Sequence, residues 1–124
     1  MKDGFLAVRA ASPALRVADC EYNTAQILAA MEDAGRAGIR LLCLPELCLT
    51  GYTCGDLFLQ AALLRGAETG LRELLRASQE HDMVVLAGLP VAVDGKLYNC
   101  AAVLARGRLL GLVPKTWLPN YSEF

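Results

Sequence analysis

The sequence predicts an α/β domain in which the strands of a sheet are covered by helices. Short apolar runs alternate with longer segments whose apolar residues recur at helical spacing, and a later stretch has the pattern of a β-hairpin. Hydrophobic residues make up 55% of the 124 residues and charged residues 20%, so we expect much of the chain to be covered. A chain of this length forms one domain at most, so residues 1–124 are expected to belong to a single domain.

The first third of the chain predicts a strand, a helix and a second strand. FLAVRAA (5–11) has the composition of a strand. Asn23 is the expected N-cap of the helix, because a glutamine stands three residues further on, as in a capping box. Gly35 and Gly38 provide the stop signals of that helix. IRLLCL (39–44) is apolar on both faces, which predicts a strand covered on both sides.

The remainder predicts a second helix and a series of antiparallel strands. Leucines recur on one face over 67–81, which indicates an amphipathic helix. MVVLAGLPVAV and KLYNCAAVLA flank Asp94-Gly95, a pair that suits the two-residue turn of a β-hairpin. A further turn at Arg106-Gly107 returns the chain through RLLGLVPK, which predicts one more strand.

Charge and hydropathy argue against several classes of function. The formal net charge is -1 and there is no basic stripe, so nucleic acid is not an expected partner. The apolar runs fall short of the roughly 18 residues of a transmembrane helix. Asp3 and Arg9 interrupt what would be the apolar segment of a signal peptide, so we expect a cytoplasmic protein without membrane attachment.

The cysteines do not form a metal-binding pattern. Zinc ligands usually come in close pairs, whereas the chain has no CxxC and its single histidine, His81, lies in a charged stretch away from the cysteines. No metal site is therefore expected. Cys43 and Cys100 lie inside apolar runs, where cysteine usually behaves as a small buried apolar residue. Without an export signal, we expect all the thiols to be reduced.

Two charged residues occupy equivalent positions after apolar strands. Glu46 follows LCLP, and Lys115 follows GLVP. Functional groups in open α/β sheets tend to lie beyond the carboxyl ends of the strands, so the two residues would converge on one cleft if their strands were neighbours. In a dry pocket, such a pair could serve as a base and an electrostatic stabiliser. A structural ion pair, or two unrelated charges at strand ends, would give the same pattern.

A resemblance to a known family runs over nearly the whole chain. It is carried by LPELCLTGYTCGDLF and KLYNCAAVLARGRLLGLVPKTWLPNYSEF. These segments resemble the glutaminase domain of glutamine-dependent NAD synthetase, a branch of the nitrilase (carbon-nitrogen hydrolase) superfamily. PEL and PK are shared across the superfamily, whereas GYTCGDLF and PKTWLPNYSEF are more specific to the branch. The resemblance implies a nitrilase-like α-β-β-α sandwich, of which this chain would be the N-terminal part.

The resemblance also implies roles for four residues. Catalysis in the superfamily uses a Glu-Lys-Cys triad. By motif match, Glu46 takes the position of the general base and Lys115 that of the residue stabilising the tetrahedral intermediate. Tyr52 is expected near the site, and Tyr121 matches a tyrosine that contacts the glutamine substrate.

The nucleophilic cysteine of the family is expected beyond Phe124. Cys54, in TCGD, has no helix N-terminus or neighbouring cation in the sequence that would activate its thiol. The isolated chain is therefore expected to be inactive.

For the complete enzyme, the resemblance implies glutamine hydrolysis by a domain that needs no metal or cofactor. A synthetase domain outside this chain would use the ammonia, with ATP and Mg²⁺, to amidate deamido-NAD. We expect the full-length protein to be a homo-oligomer. Two alternatives stay open: another amidase of the superfamily, or a truncated module without catalytic activity.

Overall fold

The computed structural model describes residues 4–116 and shows a five-stranded mixed sheet with two helices. The strands are Val8–Ala10 (β1), Leu41–Cys43 (β2), Val84–Val93 (β3), Lys96–Ala105 (β4) and Arg108–Pro114 (β5). The helices are Cys20–Arg36 (α1) and Ala61–Ser78 (α2), and a short 3-10 helix spans Gly55–Leu59. The α/β class predicted from the sequence is confirmed.

The strands lie in the sheet in their order along the chain, from β1 to β5. The first three are parallel to one another, and β4 and β5 are each antiparallel to the strand before. Strands β2, β3 and β5 therefore run in the same direction. Their carboxyl ends meet at one edge of the sheet, which is where ligand sites of such sheets usually lie.

The hydrophobic core lies between the helices and one face of the sheet. On that face Leu42, Val85 and Leu104 are register partners across three strands, and all three are fully buried. They belong to the same cluster as Ile27 of α1 and Leu74 of α2. These contacts stabilise the layer, since burial of a large apolar side chain contributes about 1.5–3 kcal/mol.

The other face of the sheet is more open. Cys43 is exposed there, and in β5 Leu110 and Val113 each have 58% of their surface accessible. The expectation that Cys43 is buried is therefore wrong for residues 4–116, whereas the cover of the second face of β2 stays a prediction for the complete domain. The apolar pattern of β2 predicted burial correctly for the helix-covered side only.

The predicted N-cap of α1 is wrong. Asp19 caps the helix one turn earlier, and its carboxylate accepts a hydrogen bond of 3.0 Å from the backbone of the first turn. Asn23 is instead buried inside the helix, where its amide donates to the carbonyls of Arg16 and Leu49. The capping-box pattern pointed to Asn23 alone, and its hydrogen bonds to the neighbouring loop carbonyls show that it has a packing role instead. At the other end, Gly38 follows the helix with a φ of 77°, as the stop signal predicted.

The two turns predicted after β3 and β4 are confirmed. Asp94 and Gly95 have φ values of 51° and 76°, and Arg106 and Gly107 have values of 50° and 81°. Positive φ at both central positions matches the right-handed twist of the flanking strands. These local signals therefore place β3, β4 and β5 correctly.

Several element boundaries differ from the prediction, and β2 spans Leu41–Cys43 rather than 39–44. Strand β1 has three residues rather than the seven of FLAVRAA, because its partner β2 also has only three. Helix α2 begins at Ala61 and ends at Ser78, rather than spanning 67–81. Its buried face includes Leu71 and Leu74, as the leucine spacing predicted.

Candidate active site

Glu46 and Lys115 are in direct contact. The Lys115 Nζ lies 2.9 Å from the Glu46 Oε1. The strands that precede them, β2 and β5, are not neighbours, since β3 and β4 lie between them. The two side chains therefore meet as predicted, although the prediction required their strands to be neighbours and they are not.

The contact arises because the loop after β2 crosses over β3. Backbone hydrogen bonds hold this crossing in place: Leu44 N donates to Leu86 O at 3.0 Å, and Leu49 N donates to Gly88 O at 3.1 Å. Glu46 lies between these two attachment points. The loop thereby carries the carboxylate from β2 towards the ends of β4 and β5.

Gly88 provides the space for this crossing. A Cβ at this position would collide with the backbone nitrogen of Leu47 and lie 2.9 Å from the carbonyl oxygen of Pro45. Any other residue would therefore displace the backbone on both sides of Glu46. Leu47 itself has a φ of 53°, in the left-handed region that a leucine rarely adopts. Such strained positions concentrate at functional sites, where surrounding structure holds them.

Asn99 in β4 completes the polar cluster. Its Nδ2 donates a hydrogen bond of 2.6 Å to the Glu46 Oε1, and its backbone carbonyl accepts one of 2.8 Å from Lys115 N. The residue is buried, with 7% of its surface accessible. Sequence reasoning missed it by taking KLYNCAAVLA as an ordinary strand. The available signal was an amide within an apolar run, because a buried amide requires a hydrogen-bond partner.

The electrostatics of the cluster favour an ion pair at neutral pH. The hydrogen bond from Lys115 lowers the pKa of Glu46; partial desolvation opposes this effect, and the bond from Asn99 adds to it. The pKa of Lys115 is raised, chiefly by its hydrogen bond to Glu46. The side chain of Glu46 is 39% exposed and that of Lys115 is 37% exposed, so the pair is accessible to solvent.

A cavity of about 330 Å³ adjoins the pair. Its apolar walls come from the open face of the sheet, and its polar groups are the three residues of the cluster. The lining includes Leu86, Ala101, Val113, Glu46, Asn99 and Lys115. A concave apolar space with a few convergent polar groups is the usual form of a small-molecule site.

The tyrosines expected at the site have different outcomes. Tyr52 has 50% of its surface accessible and contributes to the raised pKa of Lys115, which places its phenol within electrostatic range of the ammonium. Its contact with a substrate stays a prediction. Tyr121 lies outside the described residues.

Cys54 stands at the N-cap of the 3-10 helix Gly55–Leu59, which the sequence did not predict, but its thiol is still in the wrong environment for a nucleophile. It is buried and donates to the carbonyl oxygens of Thr50 and Gly51, at 3.2 and 3.4 Å. Burial raises the pKa of Cys54. A reactive thiol has a lowered pKa, so the structure gives Cys54 a packing role.

Neither helix in residues 4–116 is long and apolar enough to cross a membrane. In the same part of the chain, histidine, cysteine and acidic side chains form no group of three or more that could hold a metal ion.

Comparison with known proteins places this geometry in a family. The profile of the carbon-nitrogen hydrolase family matches residues 5–122, which is nearly the whole chain. The chain belongs to the carbon-nitrogen hydrolase family. Both Glu46 and Lys115 lie within the matched region.

Similar members of the family include glutamine-dependent NAD(+) synthetases. The enzyme from Mycobacterium tuberculosis is 36% identical over 121 residues, which are 98% of this chain and 18% of that enzyme. The crystal structure of a glutamine-dependent NAD(+) synthetase from Cytophaga hutchinsonii superposes with a TM-score of 0.87 and 36% identity, over 93% of this chain and 20% of that one. The resemblance inferred from the motifs is thereby confirmed. The chain spans about a fifth of the length of these relatives.

An amidase from Nesterenkonia sp. supports the fold assignment independently. It superposes with a TM-score of 0.83 over 99% of this chain and 47% of the amidase. At 20% identity this likeness shows the fold alone. The nitrilase-like fold predicted from the sequence is therefore confirmed, with one helix-covered sheet described in residues 4–116.

Proposed function

We propose that this chain is part of the glutamine amidohydrolase of a glutamine-dependent NAD synthetase. The observation that carries the proposal is the 2.9 Å contact between Glu46 and Lys115. These residues are 69 positions apart and come from two separate motifs, yet they meet beside a cavity. The names of the similar enzymes indicate the substrate, which is glutamine, and the overall process, which is NAD synthesis.

The geometry suggests how Glu46 would act as a base. Both hydrogen bonds to its carboxylate, from Asn99 and Lys115, go to Oε1. Within residues 4–116 no hydrogen bond is found at Oε2, which leaves that atom to accept a proton. Its lowered pKa keeps Glu46 ionised at neutral pH and therefore able to act.

The proposed first half-reaction is acyl transfer to a cysteine thiol that lies outside residues 4–116. The thiol proton passes to Glu46, and the sulfur attacks the side-chain carbonyl carbon of glutamine. Protonation of Glu46 removes its negative charge, so the ammonium of Lys115 can stabilise the developing oxyanion. Collapse of the intermediate breaks the C–N bond, and the leaving nitrogen takes the proton from Glu46 to depart as ammonia. A glutamyl thioester remains.

Hydrolysis of the thioester uses the same two residues, with water as the nucleophile and the thiolate as the leaving group. Glu46 removes a proton from water, whose oxygen attacks the acyl carbon, and Lys115 again stabilises the oxyanion. The thiolate leaves and regains its proton from Glu46, which releases glutamate. Besides glutamine, this route uses protein groups and water.

The ammonia would be consumed by a synthetase domain outside this chain, which we propose uses ATP and Mg²⁺ to amidate deamido-NAD. Within residues 4–116, histidine, cysteine and acidic side chains form no group of three or more that could hold a metal ion, and we place the ATP and Mg²⁺ sites in that other domain. We further propose that the full-length protein is a homo-oligomer.

The test compares two nitrogen sources in the purified full-length protein. Glu46→Gln keeps the shape of the side chain but removes the base, so glutamine-driven NAD formation should fall by about 10²- to 10⁴-fold. Formation driven by ammonium should persist, because that reaction does not use Glu46. The matched control is Glu68→Gln, which removes an exposed ion pair with Arg72 on α2 and should retain both rates.

Near-normal glutamine turnover in Glu46→Gln would refute the assignment of the base. If the wild-type protein hydrolyses other amides and not glutamine, the amidase alternative replaces the proposed function.

A further inference from the structure

We propose that Asn99 is a positioning residue that holds Glu46 and Lys115 in their working arrangement. This inference rests on the proposed function of the same site. It concerns a residue that neither acts as the base nor carries the charge. Asn99 is buried, its side chain binds one oxygen of Glu46, and its backbone binds Lys115.

Asn99 is connected to both functional residues by different parts of its structure. Its side chain binds Glu46 at 2.6 Å, and its backbone carbonyl accepts from Lys115 N at 2.8 Å. The second bond adds one rung to the β4–β5 ladder, whose last register pair is Cys100 with Pro114. Asn99 therefore links the end of β5 to the loop that crosses β3.

The burial of Asn99 indicates that its amide has a specific role. Its neighbours on the same face of β4, Ala101 and Val103, are both apolar. An amide buried without a partner is destabilising, whereas an apolar residue at this position would pack without that cost. The described side-chain hydrogen bond of Asn99 goes to Glu46, which is 53 residues away in the chain. The amide is thus satisfied by the functional carboxylate.

The choice of oxygen explains what the amide would do. A carboxylate held by Lys115 alone could rotate about the bonded oxygen, and Oε2 would then have no fixed position. A second hydrogen bond to Oε1, from a buried donor on a strand, removes much of that freedom. The amide is neutral, so it does not compete with Lys115 for charge. It can also keep Glu46 in place after Lys115 turns towards the oxyanion.

The experiment uses Asn99→Ala in the full-length protein. Because loss of positioning can reduce the chemical step strongly, kcat for glutamine should fall by roughly 10- to 100-fold while KM changes little. Loss of the donor also raises the pKa of Glu46, so the acidic limb of the rate profile should move to higher pH. The described groups that shift the pKa of Glu46 by direct interaction are Lys115 and Asn99, and the variant changes only the second.

Two further variants control for folding. Asn23→Ala also removes a buried amide, but that amide binds backbone groups of Arg16 and Leu49. It should lower stability and leave the acidic limb of the profile in place. Asn99→Asp keeps the shape of the side chain, so it should fold if the alanine variant does not. The new carboxylate beside Glu46 raises the pKa of Glu46 by charge repulsion, so the acidic limb of the rate profile should move to still higher pH than in Asn99→Ala.

A direct measurement separates this inference from the proposed function. ¹³C NMR of labelled glutamate carboxyls, with the Glu46 signal assigned from Glu46→Gln, reports the titration of Glu46 without any substrate. We expect this titration to move to higher pH in Asn99→Ala. An unchanged titration would overturn the inference, whatever the activity. If the wild-type protein hydrolyses no glutamine but the Glu46 titration still moves to higher pH in Asn99→Ala, only the proposed function would be overturned.

Discussion

Gly88 in β3 lies against the backbone of Leu47, so closely that a Cβ on the glycine would collide with the leucine nitrogen. This contact is the reason that the loop bearing Glu46 can cross the sheet. The crossing brings the carboxylate to Lys115, although their strands are separated by β3 and β4. The absence of a side chain at Gly88 therefore helps to determine the position of Glu46.

The first prediction follows from this contact. Gly88→Ala should lower the free energy of unfolding by about 1–3 kcal/mol, because the added methyl group forces the backbone apart. It should also reduce glutamine hydrolysis, since Glu46 moves with that backbone. The matched control is Gly111→Ala in β5, where a Cβ would meet nothing within 4 Å. Chemical denaturation and glutaminase rates of both variants provide the check, and equal behaviour of the two would contradict the proposed role of Gly88.

The second prediction concerns the dependence of stability on pH. The folded-state pKa of Glu46 is lowered, so the stability that its ionised form contributes is present above the ordinary value of 4.5 and is lost as pH falls through the folded value. The pair is more than one-third exposed, so this contribution should be small. The difference in unfolding free energy between wild type and Glu46→Gln should therefore shrink as pH falls below 4.5. Denaturation curves over a series of acidic pH values would measure it. A difference that grows on acidification would contradict the lowered pKa.

The third prediction distinguishes the thiols. Cys54 is buried with a raised pKa, whereas Cys43 is exposed beside the cavity of the site. In the full-length protein a glutamine-mimicking chloroketone should leave Cys54 unmodified. In the isolated 124-residue chain, where the open face of the sheet exposes Cys43, iodoacetamide should label Cys43 faster than the buried Cys54. This comparison is the control for accessibility. Peptide mapping by mass spectrometry identifies the labelled residues, and chloroketone attached to Cys54 would overturn its assignment as a packing residue.

The features predicted correctly from sequence are those with local causes. Asp94 and Gly95 define a turn by their own backbone preferences, so the hairpin could be placed without knowledge of the rest of the chain. Glu46 and Lys115 stood out because each follows a proline that closes an apolar strand. Asn23 was misassigned because the cap pattern is equally local, and only packing shows that Asp19 caps the helix.

The features that were missed depend on contacts between distant parts of the chain. The sequence contains no signal for the order of strands, so the separation of β2 from β5 could not be predicted. Asn99 and Gly88 looked ordinary in their strands because their partners lie in a loop much earlier in the chain. Cys48 bonds to Gly88 across 40 positions, and Asn99 bonds to Glu46 across 53. Their roles became visible only when the crossing loop was placed on the sheet.

The last prediction separates a catalytic role of Lys115 from a structural one. If Lys115 only pairs with Glu46, arginine should replace it, since the guanidinium also carries a permanent charge. If it stabilises the oxyanion, the compact ammonium must occupy one point, and the planar guanidinium cannot do so without displacing the substrate. We therefore expect Lys115→Arg in the full-length protein to fold normally and to lose glutamine hydrolysis by about 10²- to 10³-fold.

The measurement for Lys115→Arg is a pair of rates on one purified variant, with glutamine and with ammonium as the nitrogen source. The ammonium-driven rate should persist, because that reaction takes place away from Lys115. Lys96→Arg, at the exposed start of β4, is the matched control and should keep both rates. Retention of both rates in Lys115→Arg would leave the 2.9 Å contact as a structural ion pair. Loss of both would indicate a folding defect, which the denaturation curve of the same variant would show directly.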